Sequence, residues 1–316
     1  MTTFLTSAAV GEREQLADVI YRVDPSETPL FSALKKETSN GIFTEWQVQE
    51  LAAASGSNHV NEGADASITA ATATTRLGNY HQISVKTAAV SKTLETVDKA
   101  GRDSEVAYQK VLKGIELRRD IEKSITDTNQ ARSSSDPRKS ASLITWITNG
   151  DKPSDMAFAT GDGTDAADLT GTSRALTLGQ IETAMQAAWT DGGSPKIMLC
   201  SAANRANFSD LSASGNLVSN DVNMTAAKEV TYVGSTSVFL TDFGTLEVAP
   251  SRFMGDDKVF LIDPEFASLC TLNGRNFSEN EIAPTGDAEK FQIITEWALK
   301  VQAPKAHSAV IGLSGS

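Results

Sequence analysis

The chain has 316 residues, 40% hydrophobic and 22% charged, with a formal net charge of −12 at pH 7; that is long enough for one large or two ordinary domains with a sizeable core. The acidic balance argues against a protein that coats or reads nucleic acid, because phosphate contacts need clustered Lys and Arg, and it fits a soluble surface that stays off nearby DNA. Two cysteines without a CxxC pair exclude a disulfide scaffold or zinc ribbon, and no apolar run or signal-peptide pattern marks a membrane span or export, so a reducing cytoplasm is the expected compartment.

In chain order, residues 12–21 predict a short helix with Leu16, Val19 and Ile20 on one stripe. The stretch DPSETP stops it, since each proline biases the residue before it away from helix. Residues 30–35 add one more turn. Strands are then predicted at 44–49, with Trp46 and Val48 on one face, and at 82–90, with Ile83 and Val85 on one face. The segment between them is rich in Ala, Ser, Thr and Gly, and its large apolar residues are only Leu51, Val60, Ile68, Leu77 and Tyr80. The pair reads as a long hairpin with too little core. Ordering backbone costs about 1–2 kcal/mol per residue, and a few apolar side chains at about 1.5–3 kcal/mol each do not offset that. Contacts from another molecule are the expected remedy.

Residues 102–128 carry the strongest helix signal. Ser104 is placed to cap it, with Asp103 and Glu105 near the positive end of the dipole. Tyr108, Val111, Leu112, Ile115, Leu117, Ile121 and Ile125 make the expected apolar stripe. Arg118 and Arg119 stand at i,i+4 and i,i+3 spacing from Glu122. A strand is predicted at 143–147, a helix at 176–189, a buried strand over KIMLC and a short helix after it, which points to an α+β or α/β core. Strands are expected at 229–233, 237–241, 244–249, 258–262, 266–272, 292–302 and 308–313.

The chemistry-bearing residues do not assemble into a motif. His59, His81 and His307 are isolated, and there is no GxSxG, P-loop, GxGxxG or HExxH pattern. Asp162, Asp165 and Asp168 lack EF-hand spacing and read as a solvated loop. Arg132, Arg138 and Lys139 lack the interleaved aromatics of a nucleic-acid site. No catalytic, cofactor-binding or metal-binding residue is assigned, and the chain is not expected to be an enzyme.

The segment order and several long blocks carry a resemblance. VGEREQLADVIYRVDPSETPLFSAL, NEGADAS, RLGNYHQISVKTAAVSKT, EVAYQKVLKGIELRRDIEKSI and PTGDAEKFQIITEWALKVQAPKAHSAVIGL resemble the SU10-type major capsid family of tailed bacteriophages. The similarity spans nearly the whole chain and is weakest near 132–173 and 201–225. It implies an α+β, HK97-like capsid fold. The implied parts are an N-terminal arm (1–37), an extended hairpin called the E-loop (38–93), a peripheral domain with its spine helix and loop (94–173), an axial domain (174–250), a peripheral return (251–300) and a terminal strand running toward the axial domain (301–316).

The resemblance further implies a structural protein that forms the hexamers and pentamers of an icosahedral virion shell, assembled in the bacterial host cytoplasm. The shell would enclose double-stranded DNA without sequence-specific contact. Scaffold, portal and decoration proteins are its implied partners, with no membrane and no cofactor. Because the chain starts almost at the arm, a separate scaffold, no scaffold or a trimmed start all stay open. No residue for a covalent crosslink can be placed. An encapsulin-like compartment shell and a soluble enzyme with a spatially assembled site are the alternatives. The residues expected at subunit contacts are Leu30 and Phe31 on the arm, Glu62 and Gly63 at the hairpin tip, and Arg118, Arg119 and Glu122 as ion-pairing positions on the helix. Gly286, Asp287, Glu289 and Lys290 are expected at a quasi-threefold loop. Ile20, Tyr21, Leu30 and Phe31 are expected as apolar anchors on an arm stiffened by Pro25 and Pro29.

Overall fold

The structure is a computed structural model that describes residues 24–65, 68, 70–211 and 238–315. The expected helix at 12–21, the anchors Ile20 and Tyr21, and the expected strand at 229–233 lie outside the described residues.

Pro29 opens a single helical turn, α1 (Pro29–Ala33), and the chain is already extended in β1 (Lys35–Ser39). The alternating segments form β2 (Phe43–Val48), β3 (Thr75–Tyr80) and β4 (Gln82–Ser91). A short α2 (Lys92–Thr96) leads to α3 (Glu105–Thr126), whose Ser104 side chain accepts the Ala107 N–H at 3.1 Å. After the two-residue β5 (Gly150–Asp151) come α4 (Leu178–Thr190), β6 (Ile197–Cys200), α5 (Ala202–Leu211), β7 (Val238–Thr241) and β8 (Gly244–Pro250). The chain ends through β9 (Lys258–Ile262), β10 (Ala267–Leu272), β11 (Ser278–Ile282), β12 (Ala288–Val301) and β13 (Ser308–Ile311).

Two sheets organise these elements. One has the order β1-β10-β12-β11, with β4 pairing along the other side of β12, so Val85 sits opposite Ile294. The second runs β5-β13-β9-β6-β8-β7. The pair β2 and β3 stands apart as an antiparallel ribbon, Trp46 opposite Leu77. One apolar cluster joins the sheets, running from Leu30, Ile121 and Ile125 through Trp146 and Trp297 to Phe260 and Ile311. A second fills the space between α4, α5 and the longer sheet through Ile181, Met185, Phe208 and Val259. In the middle of the six-stranded sheet β9 is buried at every residue, whereas β7 and β8 toward one edge alternate buried and exposed positions.

Four expectations change. The strand that returns against 44–49 is not 82–90: β2 pairs with β3, and the expected strand at 82–90 lies in β4, which pairs with β12. Residues 143–147 are not a strand: Leu143–Trp146 is a 3₁₀ turn with all its residues buried. A short continuous apolar run does not distinguish a buried strand from a buried turn. On α3 the sheet is met by Val106, Leu117, Ile121 and Ile125, while Val111 of the expected stripe is 62% exposed and Tyr108, Leu112 and Ile115 are only half-buried. The helix carries two apolar stripes, and only contact with the sheet selects between them. Finally, β11 has the polar sequence SENEI, exposed over most of its length, so no apolar alternation announced it.

His307 sits fully buried just before β13 and accepts the Asp263 N–H on Nδ1 at 3.2 Å. Burial pushes its pKa down from 6.5 to about 4. A depressed histidine contributes stability that is present above its ordinary pKa and lost as pH falls through the folded one. Urea denaturation is therefore expected to show a loss of about 3 kcal/mol from this group between pH 6.5 and pH 4. His307→Asn, which keeps an acceptor for Asp263, is expected to flatten that part of the pH profile; an unchanged slope would contradict it.

Candidate assembly surfaces

The arm is held by an arrangement that composition does not show. A helix leaves its first N–H groups without partners, and Thr28 gives α1 no side-chain cap. Those donors are met by α3 instead: the Leu30 N–H donates to Glu122 Oε1 at 3.0 Å and the Phe31 N–H to Glu122 Oε2 at 2.7 Å. Ser251 Oγ donates to the same carboxylate at 3.4 Å. Glu122 is fully buried. Its pKa is raised by burial, opposed by the hydrogen bonds from Phe31, Leu30 and Ser251 and by the charge of Lys36. Lys36 lies over the Phe31 ring at 3.7 Å and donates to the Phe31 carbonyl; burial lowers its pKa to about 8.

Glu122 therefore does not stand on an exposed charged face as expected. Neither Arg118 nor Arg119 pairs with it. Arg118, exposed, lies over the Phe277 ring at 5.7 Å, and Arg119 lies over Phe253 at 5.4 Å. Leu30 is buried in its own subunit, in the cluster with Ile121 and Ile125. Phe31 is half-buried and meets Phe277 edge-to-face, with ring centroids 6.3 Å apart.

The extended hairpin has a firm base and a bare tip. At the base, buried Asn79 donates to the Leu299 carbonyl at 2.7 Å and to Ser140 Oγ at 3.0 Å, and accepts the Ala141 N–H at 2.9 Å. Buried His81 pairs with Thr44 through Nε2 at 2.8 Å. Trp46 packs on Trp146 with centroids 5.4 Å apart, and Lys305 meets Glu50 at 2.8 Å. Beyond β2 the described chain is exposed, with Leu51 at 97%, Val60 at 82% and Ile68 at 94%. Glu62 and Gly63 lie at a turn closed by the Ala64 N–H on the Asn61 carbonyl at 3.1 Å, where Gly63 has φ +80°.

The turn between β11 and β12 carries Gly286 and Asp287, both exposed, and Glu289 and Lys290 follow at the start of β12. Gly286 has φ +144°. The Asp287 carbonyl accepts the Lys92 N–H at 3.3 Å, and Lys290 Nζ donates to Thr285. Beneath this corner a cavity of about 260 Å³ is lined by Lys92, Val106, Lys110, Ile282 and Phe291 among others. The acidic loop spends its carboxylates internally: Asp162 accepts from Thr164, and Asp165 from Thr160. Among the described residues no group of His, Cys, Asp or Glu is placed to hold a metal, and no helix is long and apolar enough to cross a membrane.

Sequence reasoning missed Ser251, Asn79 and Phe277. Asn79 carried a faint signal, as an amide side chain inside a strand, β3, where no turn calls for it. Ser251 and Phe277 carried none, because their partners are 129 and 246 positions away at Glu122 and Phe31.

A subunit with a complete core, a clasped arm and an extended loop bare of contacts matches a shell-forming protein. The solved structures agree: the HK97-like capsid fold is shared with the cyanophage A-1(L) capsid asymmetric unit at TM-score 0.67 and 11% identity, covering 98% of each chain. The capsid of a native GTA particle matches at TM-score 0.63 and 11% identity, over 96% of each chain. The SrpI encapsulin of Synechococcus elongatus PCC 7942 matches at TM-score 0.58 and 9% identity, over 97% of this chain and 94% of that one.

The chain belongs to the SU10 major capsid protein family, whose family model matches residues 1–314. The major capsid protein of Escherichia phage Phieco32 is 35% identical over 131 residues, which is 42% of this chain and 37% of that relative's length.

Glu122→Ala leaves two buried N–H donors unpaired and is expected to lower unfolding free energy by about 2 kcal/mol. It should also open the arm to tryptic cleavage at Lys35 and Lys36. Glu122→Gln keeps an acceptor without a buried charge and is expected to retain most of the stability. Equal losses in both variants would contradict the clasp.

Proposed function

We propose that this chain is the repeating unit of an icosahedral phage head, assembling into hexamers and pentamers around double-stranded DNA. The observation that carries the reading is the exposure of Leu51, Val60 and Ile68 above a base tied down by Asn79 and Trp46. Their own subunit offers these side chains no surface, so the missing burial comes from a neighbouring copy.

The parts take the roles that the resemblance implies. The arm ends near residue 37 and the extended loop near 93. The sheet containing β12, with α3 across it, is the peripheral domain. Residues 174–250 supply most of the axial domain, and the last strand returns to the longer sheet. Glu62 and Gly63 make contacts through the loop tip, and Gly286, Asp287, Glu289 and Lys290 through the quasi-threefold corner. Arg118 and Arg119 lie on the arm side of α3. Leu30 and Glu122 act within the subunit, fixing the direction in which the arm departs. Scaffold, portal and decoration proteins are the partners the resemblance implies, and assembly takes place in the bacterial cytoplasm. The net charge of −12 repels DNA, which suits packaging without sequence-specific contact.

Electron microscopy of the purified chain is expected to show closed shells or capsomers. Replacing residues 52–72 by a short Gly-Ser link is expected to leave circular dichroism and unfolding free energy within about 1 kcal/mol of the parent while abolishing closed shells. Normal shells from that variant, or a parent that stays monomeric at every concentration, would overturn the reading. Shells that enclose one co-purified enzyme in place of DNA would favour a compartment.

A further inference from the structure

Phe277 is the one non-glycine residue with positive φ among the described residues, at +49°. That left-handed conformation costs an L residue roughly 1–2 kcal/mol, and for a bulky side chain it needs an explanation. Position supplies one. β10 and β11 both pair with the same side of β12, β10 through Trp297 and beyond and β11 through Ile294 and before. The link between them must leave β12 and turn back onto it, and Phe277 makes that return immediately before Ser278.

What holds Phe277 in place comes from two other elements. Arg118 of α3 lies over its ring, and Phe31 of the arm meets the ring at 88°. Phe31 is itself pinned three ways, by Glu122 on its N–H, by Lys36 on its carbonyl and by the Lys36 cation over its ring. Phe277 also packs against two apolar clusters, the one around Leu30 and Ile121 and the one around Val106, Leu117 and Phe291. Part of the contact that offsets the cost at Phe277 thus comes from the clasped arm turn, through Phe31 and Leu30. Farther along the hairpin, Lys110 pairs with Glu279, and Ser278 Oγ donates to the Ile294 carbonyl at 3.4 Å, so the coupling acts on the start of β11.

We propose that seating of the arm turn on α3 orders the start of the β11–β12 hairpin through Phe277, making arm and hairpin one cooperative unit. Arm release at one end of α3 then loosens the corner that carries Gly286 and Asp287 at the other. The coupling is a property of the single subunit and stands apart from shell formation.

Hydrogen exchange on the unassembled full chain tests it. Phe31→Ala is expected to speed exchange of the Ser278–Ile282 amides about fivefold to tenfold, the size of one aromatic contact, and Glu122→Ala, which frees the arm by another route, is expected to do the same. Phe277→Gly removes both the ring and the backbone cost; in that background neither substitution is expected to change the hairpin further. Acceleration confined to the arm, or equal increments with and without Phe277, would overturn the coupling. Phe31→Leu, which keeps apolar volume without the ring edge, is read the same way if Phe31→Ala does not yield soluble protein.

Discussion

A carboxylate taken out of water without an ion-pair partner bonded to it needs N–H and O–H donors around it. Glu122, carried by α3, meets that demand with donors drawn from two other parts of the chain: the arm turn and the loop after β8 that brings Ser251. Much else hangs on this meeting point. It places Leu30 in the cluster with Ile121 and Ile125, it sets Phe31 against Phe277, and it decides which back face of α3 the arm covers. The helix provides the rod, but the buried charge fixes where the arm touches it.

The extended loop follows the opposite logic. At its base the key polar groups that enter the core are tied down: Asn79 uses both ends of its amide and His81 binds Thr44 through Nε2. Past β2 the chain carries apolar residues with nothing beneath them. A monomeric protein would gain by burying Leu51, Val60 and Ile68 in itself. Leaving them out fits burial supplied by another chain, which is how the SU10 family membership and the bare loop agree.

How much of this the sequence shows depends on how local each cause is. The helix cap at Ser104, the alternation of β2 and β4 and the undercored loop rest on neighbouring residues, and the resemblance covered their order. Glu122 was legible only as one charge in a charged row. Spacing put it beside Arg118 and Arg119, and a helical wheel assigns such a group to solvent by default. Its burial comes from a turn 92 residues earlier, which no window of periodicity contains. The same holds for the two stripes of α3, where sequence gave apolar residues on both sides and tertiary contact chose Leu117 and Ile121 over Val111. The polar β11 is a strand because β12 offers it an edge, not because SENEI prefers one.

The clasp has one more property. Glu122 grips backbone N–H groups, so it recognises the shape of a helical turn and not the identity of the side chains on it. Pro29 presets that shape at the first helical position. The grip is therefore blind to most substitutions along the arm, and its vulnerability is concentrated in two residues, one that starts the turn and one that receives it. A segment held in this way can diverge widely in sequence and still dock at the same point on the same helix.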